Sequence, residues 1–478
     1  MKTTQEVKIG NSNCEYGYRI DAIETIPNIN ENIRINKSPQ DIIQVFNTKE
    51  IDTDWSFIEY KPSDTGKWTH NYHRYPAKFI PQLVEKLIDE YIICSEAHIN
   101  DPFFGCGTTI ITGISRGFKV SGTDINKIAY LITKVKSTPI EPEYLEKKIN
   151  NLLSELKILI SPQITFFVDN FEPLIPQKNL DRIDYWFSEE NKIELGIILR
   201  VIYNEEDENI RNFFLVAFSH ILKSCSIWLQ GSTKPTRDFN KKTSRPFDTF
   251  RRHLIKMQHG NNDFYHIVHK NIMENINQYL NIKIGDAKKQ PLDDETADLI
   301  ITSSPYVTSY EYADIHQLST IWLDLADDLK EYKKEFIGSS YKKNDNRVLK
   351  SLIAKDIVEK MEQKSKKMAK EIEAFFIDMQ DVFDEGFRIL KKGGRCCYVI
   401  GDTKLKGIDI LNAEVFAESL QYSGFKFDRL IKREIPSKIL PQKRDAKTGR
   451  FANNHEANFE AYPIEYIVIG LKEKKNEL

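Results

Sequence analysis

The chain contains no run approaching 18 consecutive apolar residues, so no membrane-spanning helix is expected. Its first 20 residues hold no apolar stretch of signal-peptide length, and a cytoplasmic location is the expectation. The six cysteines (Cys14, Cys94, Cys106, Cys225, Cys396 and Cys397) form no CxxC pair and no regular spacing. That pattern reads as scattered buried thiols in a reducing compartment. Charge of one sign is also lacking. Lys and Arg number 68 against 70 Asp and Glu, a net charge of -2. A uniformly basic nucleic-acid binder is excluded, but a basic face on a balanced protein is not. There is no internal repeat and no low-complexity linker.

What is present is a 478-residue chain, 40% hydrophobic and 11% aromatic, long enough for two or three structural units. Residues 1–60 are polar and weakly periodic and read as an N-terminal extension. From Pro81, "PQLVEKLIDEYII" places Leu83, Leu87 and Tyr91 on one helical stripe. "EAHINDPFFGCGTT" reads as strand, tight loop and helix start. "ITGISRG" ends a helix at Gly117, and "FKVSGTDIN" is a second strand ending in an acid. This βαβ order predicts an α/β, doubly wound, mostly parallel Rossmann-like sheet. Regularity stops near Thr138, and residues 140–280 are helical in pattern. Strands resume in "NIKIGDA", "DLIITSSPY", "GGRCCYVIGD" and "YPIEYIVIGLK", with a charged helical stretch over Lys355–Phe387. The expected division is a cofactor-binding half over 61–139, a large helical insertion over 140–280, and a catalytic half over 281–478.

The loop "DPFFGCGTTI" lacks the Lys-Ser/Thr pair of a nucleotide-triphosphate loop; Thr108 and Thr109 follow Gly107 instead. It also lacks the third glycine of the dinucleotide fingerprint, since Ile110 stands there. Asp101, on the strand side, would repel a pyrophosphate and attract an ammonium. Gly105 and Gly107 allow close backbone approach. Asp124 follows Gly107 by 17 residues, at the end of the next strand, where an acid accepts both hydroxyls of a ribose. The ligand implied has an amine, a ribose and no phosphate, and S-adenosyl-L-methionine fits all three. The alternative is a tight turn with a helix cap.

The second motif, "IITSSPY", ends a strand in a small polar residue, then serine, proline and an aromatic. With it the chain resembles the amino-directed DNA methyltransferases, and more closely their cytosine-N4 group. The resemblance covers about residues 68–135 and 282–470. It implies that Ser303, Ser304, Pro305 and Tyr306 form the catalytic loop. Ser304 departs from the family pattern, which usually has proline there. "HRYPAKFIP" resembles the segment closing over the methionine end of the cofactor, implicating Tyr75, Pro76, Ala77, Lys78 and Phe79. The cofactor loop would supply Asp101, Pro102, Phe103, Gly105, Gly107, Thr108 and Thr109. Asp124 would take the ribose, and Asp286 in "GDA" the adenine amino group. An exocyclic base amine is a poor nucleophile, because its lone pair is delocalised into the ring. Hydrogen bonds to the Ser303 hydroxyl and the Ser304 carbonyl would localise that pair, with no metal required. Tyr306 would stack on a base flipped from the duplex. No proline precedes a cysteine, so a Pro-Cys nucleophile for carbon methylation is lacking.

Two segments are basic. "STKPTRDFNKKTSRPFDTFRRHLIK" has eight Lys or Arg against two Asp, with Phe239, Phe247 and Phe250 interleaved. Lys234, Arg237, Lys241, Lys242, Arg245, Arg251 and Arg252 are its expected phosphate contacts. "KFDRLIKREIPSKILPQKRDAKTGR" has nine basic against three acidic residues and reads as a mobile basic loop. Lys443 and Arg444 are its expected contacts. A solvated charged surface is the alternative for either run alone. Double-stranded DNA is the expected partner, the insertion the expected recognition element, and a separately acting restriction endonuclease the expected companion. Adenine-N6 methylation, an RNA amino-methyltransferase and a DNA-binding relative with a dead methylase core remain the competing readings.

Overall fold

The structure, a computed structural model, describes residues 37–75, 78–160, 171–232, 234–307, 312–337, 347–435, 443–444, 459–460 and 464–474. Its centre is a seven-stranded sheet. The first strands are β1 (His98–Asp101), β2 (Lys119–Asp124), β3 (Leu280–Ile284), β4 (Ala297–Ser303) and β5 (Leu390–Ile400). A small hairpin, β6 (Thr403–Leu405) and β7 (Ile408–Ile410), follows β5. Then come β8 (Lys426–Glu434), a short pair β9 (Lys443–Arg444) and β10 (Phe459–Glu460), and β11 (Ile464–Leu471). The sheet order is β3-β2-β1-β4-β5-β11-β8. All neighbours are parallel except at β11, which runs antiparallel to both β5 and β8. This is the expected doubly wound, mostly parallel sheet.

Helices cover both faces, so the central strands are apolar almost throughout, as parallel strands are. Leu299, Ile300 and Ile301 of β4 are fully buried. They feed alternately into two cores, Ile300 into one and Leu299 and Ile301 into the other. Cys396 and Cys397 divide in the same way, as the two-residue period requires. Cys106, Cys225, Cys396 and Cys397 are free, buried thiols.

A third core belongs mainly to the insertion, which lies within the crossover from β2 to β3. Its longer helices are Pro142–Leu159, Glu189–Tyr203, Glu208–Cys225 and Pro246–Ile267. Helix Glu208–Cys225 buries Phe213, Phe214, Phe218 and Leu222. The same core takes in Ile128, Ile132 and Val135 from helix Lys127–Ser137. It also takes Leu318, Ile321 and Trp322 from helix Gln317–Trp322. The insertion therefore shares one apolar interior with two helices of the sheet domain.

Three differences from expectation have physical causes. Residues 39–48 lie in the expected N-terminal extension but form a helix. Ser38 and Asp41 close a capping box at its start, and Ile42 and Phe46 are buried. The stretch Lys355–Phe387 is two helices, Leu352–Glu362 and Lys366–Ile389, the second begun by a Ser365 cap. The expected mobile loop from Lys426 opens instead as β8. Its charges are matched: Arg429 to Glu90, Arg433 to Glu465 and Lys426 to Glu473. No described helix is long and apolar enough to cross a membrane.

Gly122 shows how tightly β2 lies on β1. A Cβ there would come 2.1 Å from the Asp101 carbonyl oxygen, a backbone atom that cannot step aside. Gly122→Ala should cost about 1–3 kcal/mol through overpacking. The check is the thermal midpoint, which should fall; an unchanged midpoint would contradict this packing.

Candidate functional site

The strand order reverses at β1, whose neighbours are β2 and β4. In open α/β sheets the crevice at the carboxyl ends of strands around such a reversal is the ligand site. Asp101 ends β1, Asp124 ends β2 and Ser303 ends β4. The fold thus gathers the three motif acids and hydroxyls on one rim.

Asp101 is almost wholly buried. Its Oδ1 accepts from the Thr302 hydroxyl at 2.6 Å and from the Phe103 N–H at 3.1 Å. Burial pushes its carboxyl up to about 7, against the pull of these donors. The loop then turns sharply. Gly107 N–H donates to the Phe104 carbonyl at 2.6 Å, and Phe104 N–H to the Thr123 carbonyl at 3.2 Å. Gly105 and Gly107 both adopt left-handed backbone, φ +48° and +81°. A Cβ on Gly107 would lie 2.7 Å from Thr133, and one on Gly105 3.2 Å from the Tyr75 ring. Tyr75 therefore covers the loop, stacked in turn on His316 at 4.8 Å.

The loop is held from behind by residues that motif reading missed. The Thr133 hydroxyl donates to the Gly105 carbonyl at 2.9 Å. The Lys136 ammonium donates to the Cys106 and His70 carbonyls at 3.1 and 3.2 Å. Lys136 is fully buried and its pKa falls to about 8 through desolvation. Nothing in the spacing of "KIAYLITKVKS" marks these two side chains as loop supports. His73, at the head of "HRYPAKFIP", meets Ser219 Oγ at 2.9 Å, and Ser219 meets Ser319 at 2.7 Å. This polar chain joins the segment to the insertion and to helix Gln317–Trp322.

Among the residues expected to hold the cofactor, several face inward. Thr109 is fully buried and donates to the Ile301 carbonyl at 3.2 Å; Thr108 is buried beside it. Phe79 belongs to the core. Pro102 is buried and Phe103 packs against the second core. Lys78 is exposed, and its ammonium donates to the His70 carbonyl at 3.2 Å. Pro76 and Ala77 lie outside the described residues.

Asp124 is half-buried, and burial raises its carboxyl to about 6. Its Oδ2 accepts from Gly105 N–H at 2.9 Å and its Oδ1 from Asn126 N–H at 2.8 Å. Each carboxylate oxygen has a further lone pair, so a diol can still bind. Beside it, Gly285 N–H donates to the Asp124 carbonyl at 3.1 Å. Asp286 shares the Lys288 ammonium, at 3.3 Å, with the buried Asp378 at 3.1 Å. Tyr332, which the sequence did not single out, reaches over β2's end: its hydroxyl donates to Asn126 Oδ1 at 3.2 Å and accepts from Lys127 N–H at 3.0 Å.

The loop after β4 carries Ser303, half-buried at the strand end. Ser304 is almost fully buried. Its N–H donates to the Val399 carbonyl at 3.2 Å, and its hydroxyl has no partner among the described residues. Pro305 is half-buried. Tyr306 donates to Glu465 Oε1 at 3.2 Å, and its ring borders Gly401.

The first basic segment is only partly a surface. Lys234, Lys242, Arg251 and Arg252 are exposed. Arg245 is half-exposed between Glu194 and Asp248. Arg237 lies between the rings of Tyr185 and Phe239, at 4.1 and 4.4 Å. Lys241 turns inward and donates to the Lys223 and Trp228 carbonyls at 2.6 and 2.7 Å. Of the three interleaved phenylalanines only Phe239 is exposed, at 73%. Phe250 is core and Phe247 packs against that core, so two of the three interleaved rings serve the interior. Lys443 and Arg444 pair with Phe459 and Glu460 in a two-stranded ladder; their side chains lie outside the described residues. Among the described residues no group of three or more His, Cys, Asp or Glu could hold a metal ion.

No family model matches the chain. It is 28% identical to the Type II methyltransferase M.MvaI of Kocuria varians over 446 residues, covering 88% of this chain and 95% of that protein. It is 23% identical over 377 residues to the Type II methyltransferase M.MjaII of Methanocaldococcus jannaschii, covering 61% and 69%. It is 22% identical over 413 residues to the Type II methyltransferase M.BsoBI of Geobacillus stearothermophilus, covering 76% and 81%. Among solved structures, a SAM-dependent methyltransferase from Methanosarcina mazei matches 84% of this chain and all of its own, at 9% identity and TM-score 0.29. The fold assignment rests on strand order rather than on that likeness.

The buried Asp101 carboxyl has a signature in pH. Its folded-state pKa, about 7, lies above the usual 3.8. The folded protein therefore binds the extra proton, and the group's contribution to stability is present below the unfolded pKa and lost as pH rises through 7. Between about pH 5 and pH 8 the unliganded protein should lose thermal stability, and Asp101→Asn should make that slope shallower, with Asp124 contributing to what remains. Parallel slopes for the two proteins would show that Asp101 is ionised throughout.

Proposed function

We propose that this chain, a relative of the Type II DNA methyltransferases, methylates the exocyclic N4 amine of cytosine in duplex DNA, with S-adenosyl-L-methionine as donor. The observation that carries the reading is the convergence of Asp101, Gly105, Asp124 and Ser303 at the carboxyl ends of three adjacent parallel strands.

The residues fit the cofactor. Asp101 offers a carboxylate for its ammonium. The left-handed Gly105 leaves the loop surface free of a Cβ beneath Tyr75. Asp124 retains lone pairs for both ribose hydroxyls, and Asp286 lies at the adjoining turn. When bound, S-adenosyl-L-methionine supplies a methyl group carried on a sulfonium. The chain's own part is orientation and electrostatics. The Ser303 hydroxyl and the Ser304 carbonyl accept hydrogen bonds from the amine. Its lone pair is thereby drawn out of the ring, and the amine is fixed facing the cofactor crevice. Tyr306 supplies the stacking face for a base turned out of the duplex.

Lys234, Lys242, Arg251 and Arg252 supply exposed charge for the phosphate backbone, and the insertion carries them. Lys443 and Arg444 extend that contact from the second basic segment. A separate restriction endonuclease is the companion that fits a Type II modification enzyme.

The test is to sequence, with base-modification readout, plasmid DNA from cells expressing the chain. N4-methylcytosine at one motif supports the reading. N6-methyladenine at a motif transfers the activity to adenine, and unmodified DNA rejects DNA methylation. Ser303→Ala should lower kcat by about tenfold to a hundredfold, the worth of one hydrogen bond to a charge-developing group. Its cofactor affinity should hold. Asp124→Ala should weaken cofactor binding by about a hundredfold, through loss of two charge-assisted hydrogen bonds. Calorimetry showing unchanged affinity would remove Asp124 from the ribose site.

A further inference from the structure

Stacking uses the face of the Tyr306 ring and leaves its hydroxyl without a role, yet the hydroxyl is engaged. It donates to Glu465 Oε1 at 3.2 Å. The other oxygen of Glu465 accepts from Arg433 Nη1 at 2.9 Å. Arg433 and Glu465 face each other across β8 and β11 in antiparallel register. Their side chains are only 4% and 9% exposed. The Phe57 ring lies 5.6 Å from the guanidinium. On the β5 side, a Cβ at Gly401 would approach the Tyr306 ring to 3.3 Å, so the ring lies directly against the strand end.

A buried ion pair is weak support for stability, because desolvating both charges offsets most of their attraction. What such a pair does well is hold a polar partner in one direction, since its own geometry is fixed by the sheet. We infer that Glu465, anchored by Arg433, is a positioning residue that fixes the plane of the Tyr306 ring against which the extruded base stacks. The inference rests on the DNA-methylating reading of the site. Phenylalanine would offer the same stacking face but no handle for the carboxylate. Loss of the handle leaves the ring in place and frees its rotation, so the base is bound but poorly oriented for transfer.

The phenotype is therefore specific. Tyr306→Phe should lower kcat on duplex DNA about tenfold, the worth of a hydrogen bond to a charged group. Affinity for S-adenosyl-L-methionine should stay within about twofold, because no contact to its site changes. Glu465→Leu, which removes the acceptor, should reproduce the loss, and Tyr306→Phe with Glu465→Leu should be no worse than the weaker single variant. Additive losses would overturn the inference. Glu465→Leu strands a buried guanidinium and can fail to fold. Tyr306→Phe leaves the ion pair intact and decides the matter alone: wild-type kcat in that variant overturns the inference, as does a loss confined to cofactor affinity. A wild-type chain that methylates no DNA overturns the functional reading, and the inference with it; an active wild type with an indifferent Tyr306→Phe overturns the inference only.

Discussion

The hydroxyl of Thr302 and the carboxyl of Asp101, 2.6 Å apart, tie the end of β4 to the end of β1. Almost everything at the rim hangs on that bond. Asp101 cannot be buried at the end of β1 without donors, and Thr302 supplies the shortest of them. The helix that follows the glycine loop, Thr108–Ser115, is tied to β4 as well, through Thr109, which donates to the Ile301 carbonyl one residue earlier. β4 is then fixed to β5 through the Ser304 N–H and the Val399 carbonyl. The glycine loop and the Ser-Ser-Pro-Tyr loop are thereby parts of one rigid edge, although about 200 residues of chain separate them. Preorganised transfer between two bound groups needs that kind of shared frame.

Support comes from behind as well as from the side. Thr133 and Lys136 project from helix Lys127–Ser137 onto the Gly105 and Cys106 carbonyls. With the carbonyls turned to the helix, the loop presents its glycines to the crevice. Burial lowers the pKa of Lys136, and the carbonyl dipoles around its ammonium satisfy its hydrogens without adding a counter-charge. A buried ammonium satisfied in this way is sensitive to the placement of each acceptor. The segment carrying His70 and the loop carrying Cys106 are consequently held in one relation to each other.

Much of this site could be read from the sequence because its chemistry is local. Two left-handed glycines, an acid at each strand end and a serine before proline are properties of short stretches, and each stretch fell where the fold needed it. The doubly wound, mostly parallel character of the sheet followed from the βαβ pattern for the same reason. What could not be read is what tertiary packing decides. Thr302 looks like any strand threonine until β1 lies beside it. Lys241 counts as surface charge until the Lys223 and Trp228 carbonyls enclose its ammonium. Phe250 counts as an interleaved aromatic until helix Pro246–Ile267 turns it inward with Leu254 and Met257. β8 was hidden because its Arg and Lys read as a solvated run; Lys426, Arg429 and Arg433 find carboxylates outside the strand.

The shared core of the insertion changes how this protein could be rebuilt. Helix Lys127–Ser137 packs into that core with one face and braces the glycine loop with Thr133 and Lys136. Helix Gln317–Trp322, which follows the Ser-Ser-Pro-Tyr loop in the chain, packs into the same interior through Leu318, Ile321 and Trp322. A graft that exchanged residues 140–280 for those of a relative would replace one side of both interfaces at once. Such a chimera would inherit foreign knobs against its own holes on the helix that braces the glycine loop and on the one that follows the Ser-Ser-Pro-Tyr loop. The natural unit of exchange is larger than the insertion: it includes both helices, and the boundaries fall at the strand ends rather than at the ends of the crossover.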